Sequence, residues 1–248
     1  MHEERFYRKS FNSSRFTGFE ARFLETDLWI GVDAGSYRPE MKEAALERIM
    51  EVRQQLDAYI LHNPEFAKTL LPFHPAESAP ELAKEMAAAS KTAGIGPMAS
   101  VAGLFARETA ITIRKNFSLE ELVIENGGDI YTLLKNDLVL SVYAGKSPLS
   151  ERIGLIIPAG QGEMGICTSS GTVGPSLSFG NADAVAVVCQ DVLLADAFAT
   201  AIGNRVKLPE DIEGALRYSE NYPQILSLII ICDDKTGMRG NFEIKILK

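Results

Sequence analysis

The sequence predicts an α+β fold, in which mixed, largely antiparallel sheets carry helices packed on one face. Two observations support this prediction. Short apolar runs of β-forming residues occur near both ends of the chain, and segments with helical periodicity lie between them. The pattern lacks the regular alternation of strand and crossover helix that a doubly wound or barrel α/β fold requires, so that fold is the weaker alternative.

The size and composition of the chain favour one folding unit. Its 248 residues are enough to bury a large core, and 46% hydrophobic with 23% charged residues is ordinary for a globular protein. We therefore expect residues 1–248 to form a single domain.

The N-terminal half predicts a hairpin followed by helices. Alternating apolar positions over 16–33, broken near Glu25, predict two paired strands. Apolar residues recur at helical spacing from Pro39 to about His62, and two further helical patterns cover 80–93 and 98–115. The segment between the first two helices is rich in Pro and His and is interpreted as a connector with a short helix near 66–71.

The C-terminal half predicts mainly strands. Short β-rich runs separated by Gly, Asn and Ser follow residue 117 and favour an antiparallel meander. The predicted strands are 122–124, 130–134, 138–143, 153–158, 165–168, 182–189, 225–232 and 242–247. One helix, from Asp191 to about Gly203, interrupts them.

The charge pattern argues against a nucleic-acid partner, and the lengths of the apolar runs argue against a membrane partner. The formal net charge is −8 and the Lys and Arg residues are scattered, so we expect no nucleic-acid partner. The charged start is followed by no apolar run of signal-peptide length, and no later segment holds the ~18 uncharged apolar residues of a membrane helix. We expect a cytoplasmic protein with no membrane partner, and a homo-oligomeric state stays open.

Few residues are available for metal or nucleophile chemistry. The three cysteines are widely separated, without the spacing of a zinc site or a disulfide framework. The three histidines are not at metal-ligand spacing, which argues against a histidine metal centre or a Ser-His-Asp relay. Any chemistry must therefore use carboxylates, hydroxyls and backbone groups.

The predicted helix 191–203 carries a carboxylate and a hydroxyl on one face. Asp196 and Thr200 are four residues apart, and the surrounding alanines would let a backbone or a ligand approach closely. Magnesium prefers such hard oxygen ligands and keeps several waters or phosphate oxygens. The alternative is a solvated or hydrogen-bonded Asp196 beside a packed Thr200.

Three glycine-containing segments could present donors to a ligand. The turn Glu125–Asp129 and the loop 167–180, rich in small hydroxyl residues, expose amide and hydroxyl groups. The segment Gly94–Ser100 precedes a helix, whose free N-terminal amides attract phosphate. A tight hairpin, a surface loop and a plain interhelical turn are the alternatives.

Taken in order, three motifs resemble the ApbE-like superfamily of flavin transferases, in which a Gly-Gly-Asp turn, a Thr-Ser-Gly segment and an Ala-Asp-Ala-x-x-Thr helix recur. Here they are Gly127–Asp129, Ser169–Gly171 and Ala195–Thr200. The stretch Phe19–Val32 is similar to the short, functionally uncharacterised branch of that superfamily. The resemblance therefore spans nearly the whole chain.

The resemblance implies an ApbE-like fold with a site for a flavin nucleotide, FAD or FMN, together with magnesium. By this resemblance Asp196, Thr200 and the backbone carbonyl of Ala99 match the metal ligands. The residues matched to the nucleotide site are Gly127, Gly128, Asp129, Ser169, Ser170 and Gly171. The family's chemistry is cleavage of the FAD pyrophosphate and transfer of FMN to a protein Thr or Ser, with the metal neutralising phosphate charge.

The chain also departs from the family pattern, and no catalytic residue is assigned. The Lys-Gly usual at the start of one family helix is Ala102–Gly103 here, and the His-Ile-Asp-Pro hairpin expected before the Asp-bearing helix is missing. No histidine follows His74. These departures weaken transferase activity more than they weaken ligand binding.

Three functions remain. The first is a protein that binds a flavin nucleotide or another phosphate-bearing small molecule with magnesium. The second is a non-flavin accessory protein in anaerobic sulfur metabolism, and the third is an active FMN transferase acting on an internal acceptor. The first and third require the Asp196/Thr200 face to converge with Gly127 and Ser170, whereas the second needs only an exposed patch.

Overall fold

A computed structural model describes residues 15–173 and 178–247 of the protein. The strands, in chain order, are β1 (Phe16–Phe23), β2 (Thr26–Asp33), β3 (Leu122–Asn126), β4 (Asp129–Leu133), β5 (Leu138–Ser141), β6 (Ile153–Ile157), β7 (Glu163–Ser169), β8 (Ala184–Cys189), β9 (Ser227–Cys232), β10 (Lys235–Gly240) and β11 (Ile244–Ile246). The helices are α1 (Glu40–His62), α2 (Pro64–Lys68), α3 (Glu81–Ala93), α4 (Val101–Asn116), α5 (Val192–Gly203) and α6 (Ile212–Ser219). Short 3₁₀ helices cover Pro97–Ser100 and Pro209–Asp211.

The described strands form two antiparallel sheets. The larger has eight strands in the order β1-β2-β3-β4-β7-β8-β9-β10, and the smaller has three in the order β11-β6-β5. The expected meander is therefore interrupted, because β5 and β6 leave the large sheet and β4 pairs directly with β7. The C-terminal strand β11 joins β6 in the small sheet.

Each face of the large sheet buries a separate hydrophobic cluster. Helices α1, α4 and α5 pack on one face and α3 packs on α5, in a cluster where residues such as Ile30, Leu104 and Phe198 are fully buried. The small sheet covers the other face, with Leu155, Ile166 and Ile229 in the second cluster. Strands β8 and β9 lie between both layers, and their unbroken apolar runs reflect burial on both faces. The predicted α+β fold, with antiparallel sheets and helices on one face, is confirmed.

The helix boundaries follow local sequence signals. Gly94 adopts a left-handed conformation with φ +74° and ends α3, because a glycine tolerates this angle without strain. The predicted helix 98–115 divides into the 3₁₀ turn 97–100 and α4. Asp191 caps α5 by accepting a hydrogen bond from the amide of Leu193 at 2.8 Å. None of the helices in the described ranges is long and apolar enough to cross a membrane.

Candidate functional site

Helix α5 places Asp196 in the interior beside the first turn of α4. The side chain is only 7% exposed, and its Oδ2 accepts a hydrogen bond from the amide of Gly103 at 2.8 Å. The two helices come this close because position 103 has no side chain. A Cβ there would lie 2.8 Å from the carbonyl oxygen of Val192 and 3.2 Å from the Cβ of Asp196.

Among the described residues, the buried carboxylate of Asp196 has no basic partner. Burial raises the pKa of its carboxyl to about 7, although the hydrogen bonds from the amides of Gly103 and Ala102 act in the opposite direction. Within residues 15–173 and 178–247, no Lys or Arg forms a salt bridge with it. A divalent cation would supply the missing positive charge.

The other two predicted metal ligands lie on elements adjacent to Asp196. Thr200 is half-buried and follows Asp196 by one turn on the same face of α5. Ala99, also half-buried, belongs to the 3₁₀ turn 97–100, which packs against α5 and is held by the Ser100 hydroxyl donating to the carbonyl of Pro97 at 2.9 Å. In the described residues no three His, Cys, Asp or Glu side chains could hold a metal together. Magnesium would therefore bind one carboxylate, with neutral protein oxygens and water or phosphate oxygens completing its shell.

The Gly-Gly-Asp turn lies against the same end of α4. Gly127 and Gly128 have φ values of +70° and +102°, which permit the tight connection between β3 and β4. The amide of Gly128 donates to Oε1 of Glu125 at 2.9 Å and closes the turn. The side-chain amide of Asn126 donates to the carbonyl of Ala102 at 3.1 Å and connects the turn to α4.

Strand β7 brings Asp129 and Asp196 to a common neighbour. Asp129 is opposite Cys167 in the pairing of β4 with β7, and the amide of Thr168 donates to the carbonyl of Gly128. Burial raises the pKa of the Cys167 thiol well above its usual range, and the negative charges of Asp129 and Asp196 raise it further. Both carboxylates therefore act on this thiol, which lies on the central strand β7 where α5 packs against it.

In the Ser169–Gly171 segment, Ser169 lies against α5, whereas Ser170 makes hydrogen bonds within its own loop. Ser169 lies near the end of α5, since a Cβ on Gly203 would be 3.4 Å from the Ser169 Oγ. The Ser170 hydroxyl accepts hydrogen bonds from two amides of its own loop, and the amide of Gly171 donates to the carbonyl of Ala182. The described loop ends at Val173, and ligand contact by Ser170 or Gly171 stays a prediction.

Two findings could not be obtained from the motifs. The amide of Gly103, at the helix start considered for phosphate, already donates to Asp196 at 2.8 Å. The only signal for this was the place of Gly103 just after the glycine-containing turn 94–100. An open cavity of about 290 Å³ lies elsewhere, and none of the predicted site residues lines it. Its lining residues are Lys146, Ser147, Pro148, Asp183, Asp233 and Asp234.

Comparison with known sequences identifies relatives over most of the chain. The family described as AbpE bacteria matches residues 8–217. A UPF0280 protein of Methanoregula boonei is 45% identical over 191 residues, covering 77% of each chain. The UPF0280 protein of Methanocaldococcus jannaschii is 36% identical over 229 residues, covering 90% of this chain and 91% of the relative.

Comparison with solved structures identifies the fold. The apo form of the flavinyl transferase ApbE of Pseudomonas stutzeri matches with a TM-score of 0.55 at 12% identity, covering 90% of this chain and 93% of that chain. The ApbE protein of Thermotoga maritima matches with a TM-score of 0.53 at 14% identity, covering 92% and 96%. The resemblance stated from the motifs is thus confirmed, and the chain belongs to the AbpE bacteria family and to the UPF0280 proteins, with the fold of the ApbE flavin transferases.

Proposed function

We propose that the protein binds a flavin nucleotide, FAD or FMN, together with magnesium, at the edge where the Gly127–Asp129 turn, the start of α4 and the Asp196/Thr200 face of α5 meet. Asp196, Thr200 and the carbonyl of Ala99 hold the metal. The turn and the segment 169–171 contact the nucleotide. Magnesium in this position supplies positive charge to the phosphate oxygens.

One observation carries the proposal: Asp196 is a buried carboxylate with no salt-bridge partner among the described residues. Amide hydrogen bonds offset only part of the desolvation of such a group, and its pKa is raised accordingly. A protein that needed only a cap for α4 could use a neutral Asn or Ser at this position. A buried carboxylate that lowers the stability of the fold is typical of a functional site, where activity is gained at the expense of stability.

The surroundings of Asp196 can accept a phosphate-bearing ligand only if a metal ion is bound as well. The Gly127–Asp129 turn adjoins the first turn of α4, and the described elements at this edge bring no Lys or Arg into a salt bridge with Asp196. Without a metal, the carboxylate would repel a diphosphate. The relatives named flavin transferases share the fold at low identity, which supports the flavin as the nucleotide.

Binding is better supported than transfer of FMN. Ala102 occupies the position where the family pattern has Lys, and its methyl side chain brings no positive charge to a phosphate. The next amide in the chain, that of Gly103, donates to Asp196 and is not free for a ligand. We therefore assign nucleotide binding to this site and assign no catalytic residue.

Isothermal titration calorimetry of the full chain tests the proposal. FAD and FMN are titrated in excess magnesium and again in EDTA. We expect tighter binding with magnesium in the unmodified protein, and no magnesium dependence in Asp196→Ala. Equal affinity under both conditions would show that the magnesium mechanism is wrong.

Asp191→Asn is the matched control for the charge. It removes one carboxylate from the same helix, about 7.5 Å along the axis from Asp196, and keeps a side chain that caps helices well. We expect magnesium-dependent binding to persist in this variant. If no flavin binds the unmodified protein with or without magnesium, the accessory-protein alternative is favoured instead.

A further inference from the structure

We propose that Asn126 is a positioning residue that couples the magnesium half of the site to the glycine-turn half. This inference rests on the proposed function, since it concerns how the two ligands influence each other. It predicts that Asn126 is needed for magnesium to strengthen nucleotide binding, and less so for either ligand to bind alone.

The geometry around Ala102 carries the inference. Asn126 is the last residue of β3, is 8% exposed, and donates from Nδ2 to the carbonyl of Ala102 at 3.1 Å. The amide of Gly103, at the other end of the same peptide group, donates to Oδ2 of Asp196 at 2.8 Å. One peptide group in the first turn of α4 is thus held by Asn126 through its carbonyl and by the proposed metal ligand through its N–H.

The glycine-turn side of this connection is itself fixed. The Glu125 carboxylate closes the turn on the amide of Gly128, and the carbonyl of Gly128 accepts from the amide of Thr168 in β7. Asn126 therefore projects from a turn that is tied to two strands. A shift of the turn on nucleotide binding would be passed through Asn126 to the start of α4, and from there to Asp196.

The chemistry of the amide group is specific. The carbonyl of Ala102 can only accept a hydrogen bond, so the contact requires a donor at position 126. Asn126→Asp keeps the size and replaces the donor with a carboxylate oxygen, which would repel both the carbonyl and Asp196. Asn126→Ala removes the group. Two variants with different defects can thus be compared at one position.

The test is a thermodynamic cycle on the full chain. FMN affinity is measured by calorimetry with and without magnesium, and the ratio of the two affinities is the coupling factor, typically about 5- to 150-fold between linked sites. We expect this factor to fall at least about threefold in Asn126→Ala and in Asn126→Asp. Affinity for Mn²⁺ alone, followed by electron paramagnetic resonance, should change less than the coupling factor does.

Asn63→Ala is the matched control, because Asn63 also donates from Nδ2 to a backbone carbonyl, that of Tyr59, at 3.1 Å. We expect it to keep the coupling factor of the unmodified protein. An unchanged factor in both Asn126 variants, or an equal loss in Asn63→Ala, would overturn the inference. Absence of magnesium-dependent binding in the unmodified protein would instead refute the proposed function, and the inference with it.

Hydrogen exchange gives a second readout that needs no ligand. If Asn126 holds the first turn of α4 against Asp196, the amide of Gly103 should exchange faster in Asn126→Ala than in the unmodified protein, while amides near the middle of α4 keep their rates. An equal rate at Gly103 in the two proteins would overturn the inference even if the variants bound flavin poorly. Uniformly faster exchange throughout α4 would also count against it, because that result indicates general destabilisation.

Discussion

Replacing Asp196 by asparagine should stabilise the metal-free protein at neutral and alkaline pH. Asparagine has nearly the same shape, and its Oδ1 can accept the hydrogen bond that Gly103 now donates to Asp196 at 2.8 Å. The substitution removes the buried negative charge and keeps the helix contact. Substitutions of buried polar residues usually destabilise a protein, so a gain in stability would be informative.

The magnitude follows from the pKa of the Asp196 carboxyl. Its value rises from 3.8 to about 7 on burial. That is roughly 3 pKa units at ~1.4 kcal/mol each, so the ionised carboxylate costs about 4 kcal/mol of folding free energy as an upper estimate. For a protein of this size, a change of 1 kcal/mol shifts Tm by roughly 2–4 °C, so Asp196→Asn should raise Tm by about 5–15 °C at pH 8.

The sign of the pH dependence is fixed by the direction of the shift. Because the folded pKa lies above the unfolded one, the folded state holds the Asp196 proton more tightly. The stability that the protonated group provides is present below about pH 4 and is lost as the pH rises to about 7. The difference between Asp196→Asn and the unmodified protein should therefore be small in acid, grow through this window and stay constant above it.

Scanning calorimetry in EDTA at several pH values measures this difference directly. The other titrating groups are present in both proteins, and the Cys167 thiol, whose pKa is raised by burial and by Asp196, stays protonated in this pH range, so their contributions cancel in the comparison. Magnesium should raise the Tm of the unmodified protein and leave that of Asp196→Asn unchanged, since only the former has the carboxylate ligand. An asparagine variant that is less stable at pH 8, or a difference that does not vary with pH, would refute the argument from a buried charge.

Three further predictions concern the immediate neighbours of this carboxylate. Thr200→Val should weaken magnesium-dependent FAD binding less than Asp196→Ala does, because the hydroxyl brings no full charge to the metal; equal losses by calorimetry would contradict this. Gly103→Ala should lower the free energy of unfolding, measured in urea, by about 1–3 kcal/mol, because the new Cβ would lie 2.8 Å from the carbonyl oxygen of Val192. An unchanged urea midpoint would show that α4 and α5 can separate without loss of stability. Gly128→Ala should lower the free energy of unfolding more than the control Gly160→Ala does. Gly128 has φ +102°, and a Cβ there would lie 3.4 Å from the carbonyl oxygen of Thr168, whereas Gly160 has φ +72° and open space around it. The reverse order would show that the turn can relax.

Periodicity in the sequence was sufficient to predict the elements whose structure is set locally. The helix 39–62 and the hairpin 16–33 match α1, β1 and β2 closely, because apolar spacing and turn residues act over a few positions. The segments Ile212–Ser219 and Lys235–Gly240 were not predicted as a helix and a strand. Both are short: Ile212–Ser219 packs on β9 and β10, and Lys235–Gly240 is itself β10, an exposed strand that pairs with β9.

The α+β class, the family resemblance and the common helix face of Asp196 and Thr200 can all be read from the amino-acid sequence. Strand pairing between distant segments leaves no signal in local spacing, so the joining of β5 and β6 with β11 in a second sheet is seen only in the folded protein. The fold also places Asp196 against the first turn of α4 rather than in solvent. That contact depends on the missing side chain of Gly103, 93 residues away in the chain, and burial at this contact is what raises the pKa of the carboxyl.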